Sequence, residues 1–243
     1  AWGQQAAANE INAEKENWTY LISEEQIVYQ PKDFWIDGPY FTYRWQGQIY
    51  GVLPSDYTSR TKDFVSDKIR HRESMKGLEK GKAGNWDELG AWLNGIYQDD
   101  KGRLHGYYHG ESRKDPISKG RNKASLGYAY SDDGGKTWIK PNYPNNKIIT
   151  GQNGHDYAGD GHLVIRKDYL YFYYGQTDGE RLALARLQDK GLPGTWNTYV
   201  RSDKPGKIHT VPSMKANGSE LFGLRYGAFV AWNTYLKKWL AVD

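Results

Sequence analysis

The chain predicts an all-β protein, a β-propeller of four-stranded antiparallel blades, and three observations lead there. The first is a recurring X-Gly pair that opens an apolar strand: Asp37-Gly38, Asn94-Gly95, Asp160-Gly161 and Tyr226-Gly227. The X positions recur at intervals of 57, 66 and 66 residues (37 to 94, 94 to 160, 160 to 226), the signature of a radial repeat. The second is the antiparallel strand-and-turn pattern that follows each pair. The third is composition. Twenty Tyr and 10 Trp stand beside 28 Gly and only 2 Met, the profile of a turn-rich β protein with many aromatic faces.

Each element follows from local pattern. The segment 1–17 is rich in Ala, Glu and Asn and reads as an arm or short helix, so the propeller is expected over 18–243. Blades are expected to begin near 37, 94, 160 and 226. The second unit reads as strands at 93–98, 103–110, 126–130 and 136–140, with turns at Asp99-Asp100-Lys101-Gly102 and Asp132-Asp133-Gly134-Gly135. The third reads as strands at 162–166, 169–175, 181–187 and 196–200. The fourth shows two strands, 227–232 and 238–242, and then the sequence stops. A blade left with open edges is unusual. The expectation is a five-bladed ring whose C-terminal part lies in further polypeptide; closure by a strand such as Trp18-Thr19-Tyr20-Leu21 is the alternative. A charged, Gly-rich insertion at 59–88, with 66–75 a candidate helix, is either a substrate-facing loop or a surface excursion.

Composition also excludes. The formal charge of +4, with signs interspersed, gives no reason to expect a nucleic-acid partner. The run Lys114, Lys119, Arg121, Lys123 reads as a solvated loop face. No apolar run approaches the ~18 residues of a membrane span, and the absence of Cys removes disulfide and thiolate chemistry. Asn17-Trp18-Thr19 and Asn217-Gly218-Ser219 fit the glycosylation pattern, and a secreted or periplasmic location is expected.

In a propeller the first strand of each blade lines the axis, and the end of the second strand returns to the same rim. That geometry brings Asp37, Asp160 and Glu111 together. Converging carboxylates in an aromatic-lined bowl suit glycosidic bond cleavage, which needs a protonated acid and an ionised base or nucleophile. The competing reading of Asp37 and Asp160 is a turn residue before glycine, as at Asp133, Asp168 and Asp178. Asn94 and Tyr226 take the other X positions, suited to sugar hydroxyls. Trp35 and Tyr40 offer faces for stacking, as does Trp92, and Arg225 suits a carboxylate or sulfate. Period-two spacing puts His105, Tyr107, His109 and Glu111 on one strand face. His109 and His162 are expected to line the substrate site. No cofactor is expected, although His109 with Glu111 and a partner such as His162 or His155 offers donors for a divalent metal.

Ser131-Asp132-Asp133-Gly134-Gly135-Lys136-Thr137-Trp138 fits the Asp-box, Ser-x-Asp-x-Gly-x-Thr-Trp, and resembles that of sialidases and other glycan-active propellers. In it Asp133 is expected to cap the turn, Gly135 to take an unusual backbone conformation, and Trp138 to pack between sheets. The order Asp37, Glu111, Asp160 resembles the five-bladed glycosidases that include arabinanases, xylosidases and invertase-type enzymes. That resemblance implies Asp37 as base or nucleophile, Glu111 as acid and Asp160 as orienting carboxylate, acting on an oligo- or polysaccharide. The chain departs from those families in reading Ile36-Asp37-Gly38-Pro39 and in placing Glu111 before Asp160. A sialidase-like hydrolase is an alternative, with Arg44, Arg166 and Arg225 available but no Arg-Ile-Pro signature. A polysaccharide lyase using His and Tyr, and a non-catalytic glycan-binding propeller, are the others.

Overall fold

The computed structural model describes residues 41–53, 59–61, 77–112, 122–151, 157–176, 179–202, 209–214, 218–221 and 229–242. Within them the protein is all-β, and the single helical turn is the 3-10 segment Leu187–Asp189. No helix among the described residues is long and apolar enough to cross a membrane.

The strands form four antiparallel sheets. The first contains β1 (Phe41–Trp45), β2 (Gln48–Leu53) and β3 (Ser59–Thr61). The second contains β4 (Gly90–Gln98), β5 (Leu104–Ser112), β6 (Lys123–Ser131) and β7 (Lys147–Thr150). The third runs β8 (Gly159–Arg166), β9 (Tyr169–Gln176), β10 (Gly179–Arg186), β11 (Asn197–Val200) and β12 (His209–Pro212). The fourth shows β13 (Phe229–Asn233) and β14 (Lys238–Val242). Every strand pairs with its neighbour in sequence, and the opening strands β4, β8 and β13 lie beside one another in that order. Meandering sheets fanned around their first strands are a propeller.

The cores lie between the sheets. One cluster joins the first and second sheets through Val52, Leu78, Ala91, Leu93, Tyr108 and Ala129. A larger one joins the second and third around Tyr107, Tyr128, Phe172, Tyr174 and Trp196. This explains why β5 reads Leu-His-Gly-Tyr-Tyr-His-Gly without a polar face. It is buried from Leu104 to Gly110, with Tyr107 packing on one neighbouring sheet and Tyr108 on the other. Each such ring taken from water stabilises by about 1.5–3 kcal/mol.

The Asp-box behaves as its sequence predicts. Asp133 accepts from the Thr137 backbone N–H at 2.9 Å and from its hydroxyl at 2.6 Å, while Ser131 Oγ donates to Asp133 Oδ1 at 2.8 Å. Gly135 has φ +85°, a left-handed conformation suited to glycine, and Trp138 packs into the first inter-sheet cluster. The expected strand at 136–140 is not formed. The box spends that segment on its own turn, leaving one isolated bridge, Tyr130 to Ile139, and the fourth strand of the sheet is β7 instead. The third sheet has five strands where four were expected, because β12 adds to the outer edge of β11. Trp196, read as strand, sits in the core just ahead of β11. The arm 1–17, the 66–75 segment and the blade starts at 37 and 226 lie outside the described residues.

Candidate active site

The X-Gly echo has a structural cause. In both described copies the X residue is the extra residue of a β-bulge. The β4–β5 register shifts between Leu93 and Gly95, at Asn94, and the β8–β9 register shifts between Gly159 and Gly161, at Asp160. A bulge re-aims the side chain it carries. Asp160 takes φ +39°, a conformation that Asp tolerates better than most residues. The glycine that follows is required by close approach. A Cβ on Gly95 would fall 2.4 Å from Leu163 Cβ, and one on Gly161 would fall 2.1 Å from the Phe172 ring.

The alternation expected along β5 also holds. His105 points between the sheets, with Nδ1 2.7 Å from the Tyr128 hydroxyl and Nε2 3.2 Å from Asp99, whose carboxylate also binds Lys190 at 2.6 Å. Tyr107 follows in the core. At the strand end His109 and Glu111 meet Asp160 from the next sheet. His109 Nδ1 is 2.9 Å from Asp160 Oδ1, and Nε2 is 3.4 Å from Glu111 Oε1, an ion-pair distance without hydrogen-bond geometry. Two neutral donors complete the array. Tyr157 donates its hydroxyl to Asp160 Oδ2, and Asn122 Nδ2 donates to Glu111 Oε2 at 2.9 Å.

The imidazole is boxed in. Trp92 lies tilted beside it at 5.4 Å, Tyr157 meets it edge-on at 5.7 Å, and a Cβ on Gly159 would come 2.9 Å from its Cε1. The carboxylates are more open. Side-chain exposure is 5% for His109, 21% for Glu111 and 31% for Asp160. Burial favours a neutral His109 ring, but Asp160 and Glu111 outweigh it and push its pKa up to about 9. Burial would raise both acids, yet the imidazolium beside them, with Asn122 at Glu111 and Tyr157 at Asp160, holds each below the ordinary range. At neutral pH the array is two carboxylates around one buried cation.

Of the expected site residues, Glu111, Asp160 and His109 are thus brought together. His109 lies beneath the carboxylates as their counter-ion, so it is not open to a substrate. Asn94 is buried at the bulge equivalent to Asp160, with no hydrogen-bond partner for either amide atom among the described residues, so the expected contact of its amide with sugar hydroxyls is not open to it. His162 is placed elsewhere: its ring packs on Phe229 at 4.4 Å beside the Val230 backbone, and burial keeps it neutral. A metal shared by His109 and His162 therefore has no basis in their placement, and no cluster of three or more His, Cys, Asp or Glu among the described residues is arranged for an ion. Trp35, Asp37, Tyr40, His155, Arg225 and Tyr226 lie outside the described residues. Tyr157 and Asn122 were not found by sequence reasoning. Tyr157 precedes the Asp160 bulge by three residues and Asn122 precedes β6, so neither carries a periodic signal.

No protein-family model matches the chain, and no curated protein matches it in sequence. Solved structures do resemble it. An α-L-arabinofuranosidase from Lactobacillus brevis is 13% identical with a TM-score of 0.48, the match covering 68% of this chain and 54% of that one. A GH32 β-fructofuranosidase variant from Bombyx mori, in complex with sucrose, is 15% identical with a TM-score of 0.41, over 65% of this chain and 31% of that one. A protein of unknown function from Dyadobacter fermentans is 16% identical with a TM-score of 0.34, over 73% and 52%. The chain spans 54% of the length of the first and 31% of the second.

Proposed function

We propose that the protein is a glycoside hydrolase acting on an oligo- or polysaccharide, with Glu111 and Asp160 in its reaction centre. The observation that carries this reading is the meeting of two partly exposed carboxylates, from different sheets, on one buried imidazolium. Hydrolysis of a glycosidic bond needs acidic groups on both sides of the bond, held in fixed directions. Asp160, with one oxygen on His109 and the other on Tyr157, suits an orienting carboxylate. Glu111 is held less tightly by His109, at 3.4 Å, and suits the acid. It is ionised at rest, so it takes up its proton as substrate excludes water and raises its affinity for one. Turnover then rises toward acid pH. Asp37 is proposed as base or nucleophile, with Trp92 contacting the sugar.

A lyase using His109 as base fits less well, because a base must be neutral and His109 is held protonated. The test is hydrolysis of nitrophenyl arabinofuranoside and xyloside, sucrose and plant polysaccharides by wild type and Glu111→Gln. The substitution is expected to lower kcat by about 10²–10⁴-fold without loss of fold. Near-normal turnover would remove Glu111 from the mechanism. Unchanged glycan binding with no hydrolysis of any bound ligand would favour a binding module.

A further inference from the structure

Two side chains reach the Glu111 carboxylate among the described residues, and they hold it in different ways. His109 Nε2 lies 3.4 Å from Oε1, near enough to attract the charge but without the geometry of a hydrogen bond. It does not fix the direction in which the carboxylate points. Asn122 Nδ2 donates to Oε2 at 2.9 Å, an ordinary hydrogen-bond length. The charge of Glu111 is thus set by an imidazolium and its orientation by a neutral amide.

Strand register puts the amide there. β5 and β6 pair with Glu111 opposite Ala124 and Ser112 opposite Lys123, so Asn122 stands two residues from the partner of Glu111. Residues two apart share a strand face, and such a diagonal neighbour is within reach of a long side chain. Glu111 supplies the length. The contact therefore belongs to the framework of the second sheet, on the face where His109 also lies.

The chemistry of the two oxygens differs in consequence. An amide N–H can only donate, so it keeps a proton off the Oε2 lone pair that it faces. Oε1 makes no hydrogen bond among the described residues and is the oxygen left to carry one. We propose that Asn122 is a positioning residue of the acid: holding Oε2, it directs the reacting proton to Oε1 and binds more strongly as that proton leaves. The proposal rests on Glu111 being the acid of the reaction centre. In the step, the Oε1–H bond breaks and the proton joins the glycosidic oxygen, which takes the electron pair of its bond to the anomeric carbon. Water adds to that carbon and gives up a proton. Glu111 passes from neutral to anionic, and the Asn122 bond becomes charge-assisted, roughly twice as strong. An interaction that strengthens only then lowers the barrier without tightening substrate binding.

The charged groups facing Glu111 are His109 on its own strand and Asp160 on β8. Burial and Asp160 oppose its ionisation, while His109 and Asn122 favour it. Loss of the amide donor therefore raises its proton affinity, and turnover persists to higher pH.

The test is kcat and KM of the full chain across pH 4 to 9 on the nitrophenyl glycosides, for wild type, Asn122→Ala, the isosteric Asn122→Asp, and Asn122→Gln, which keeps a donor. Alongside it, 13C NMR titrates Glu111, its signal assigned by its loss in Glu111→Gln. The Ala and Asp variants are expected to lose about tenfold in kcat with KM nearly unchanged. The Glu111 midpoint rises by about one pH unit in Asn122→Ala, and further in Asn122→Asp, where a like charge replaces the donor. Asn122→Gln recovers part of both. Wild-type kcat in the Ala and Asp variants, or an unchanged midpoint, overturns the positioning role. A raised KM at constant kcat also overturns it, because Asn122 is then a substrate contact. A raised midpoint in a chain that hydrolyses no glycoside overturns Glu111 as acid, and keeps only the hold of Asn122 on its carboxylate.

Discussion

Two of the inter-sheet seams each bury a cation against a carboxylate, and they do so in opposite ways. Between the first and second sheets, Asp87 is fully buried and saturated: Lys140 at 2.5 Å, Tyr143 at 2.6 Å and Tyr108 at 3.1 Å all reach it. Between the second and third, His109 is buried but its acids keep 21% and 31% of their side chains in solvent. The first arrangement is closed, with both carboxylate oxygens bound by protein donors. The second has its cation inside and its anions at the surface. The contrast teaches that burial of charge alone does not mark a reaction centre; an open edge on a rigidly held acid does.

The largest effect that tests the contrast is Asp87→Ala. It strands the Lys140 ammonium and the hydroxyls of Tyr108 and Tyr143, and breaking a buried pair in this way costs about 3–5 kcal/mol. Asp160→Ala is expected to cost only about 1 kcal/mol, because water reaches its place and His109 can become neutral. Urea unfolding of the two variants gives both numbers. Equal losses would mean that the Asp160 seam is as structural as the other.

The second test is pH. His109 is held above its ordinary value of 6.5, at about 9, so its contribution is complete below 6.5 and is lost as pH rises through 9. Glu111 and Asp160 are held low, so theirs is complete above their ordinary values of 4.5 and 3.8 and is lost as pH falls. Stability from the array is therefore greatest between about pH 5 and 6.5, and its alkaline arm falls by at most about 1.4 kcal/mol per pH unit. His109→Gln should flatten that arm in unfolding measurements across pH 6 to 10. An alkaline arm of unchanged slope would detach His109 from the two acids.

The third effect is smaller and local. Asp133→Ala removes the acceptor for both Thr137 donors and is expected to cost about 1–2 kcal/mol, with kcat unchanged. A loss of turnover would tie the Asp-box turn to the reaction centre.

These cases show what a sequence can and cannot display. The Asp-box is legible because each of its bonds closes within a few residues, from Ser131 to Thr137. The X-Gly echo is legible because a bulge followed by a tight approach leaves glycine as the residue that fits, at Gly95 and Gly161 alike. The face of β5 is legible because a strand alternates. The position of β7 was not, since its pairing with β6 depends on how the chain returns after the Asp-box. Nor was the burial of His109, which is decided by Asp160, 51 residues away. His162 shares the spacing of a site residue, yet the approach of Phe229 turns it into a packing residue.

The smallest effect separates the two bulges themselves. Asp160 spends its carboxylate on His109 and Tyr157, whereas the Asn94 amide is buried with no hydrogen-bond partner for either atom among the described residues. An unpaired buried amide is a net cost, so Asn94→Leu, close to it in size, is expected to leave stability unchanged or raise it by about 1 kcal/mol. The buried amide does not reach the sugar, so KM and kcat are expected to stay near their wild-type values. A fall in stability of about 2 kcal/mol or more would mean that the amide is paired after all. A KM raised severalfold would mean that both bulges, and not Asp160 alone, meet substrate.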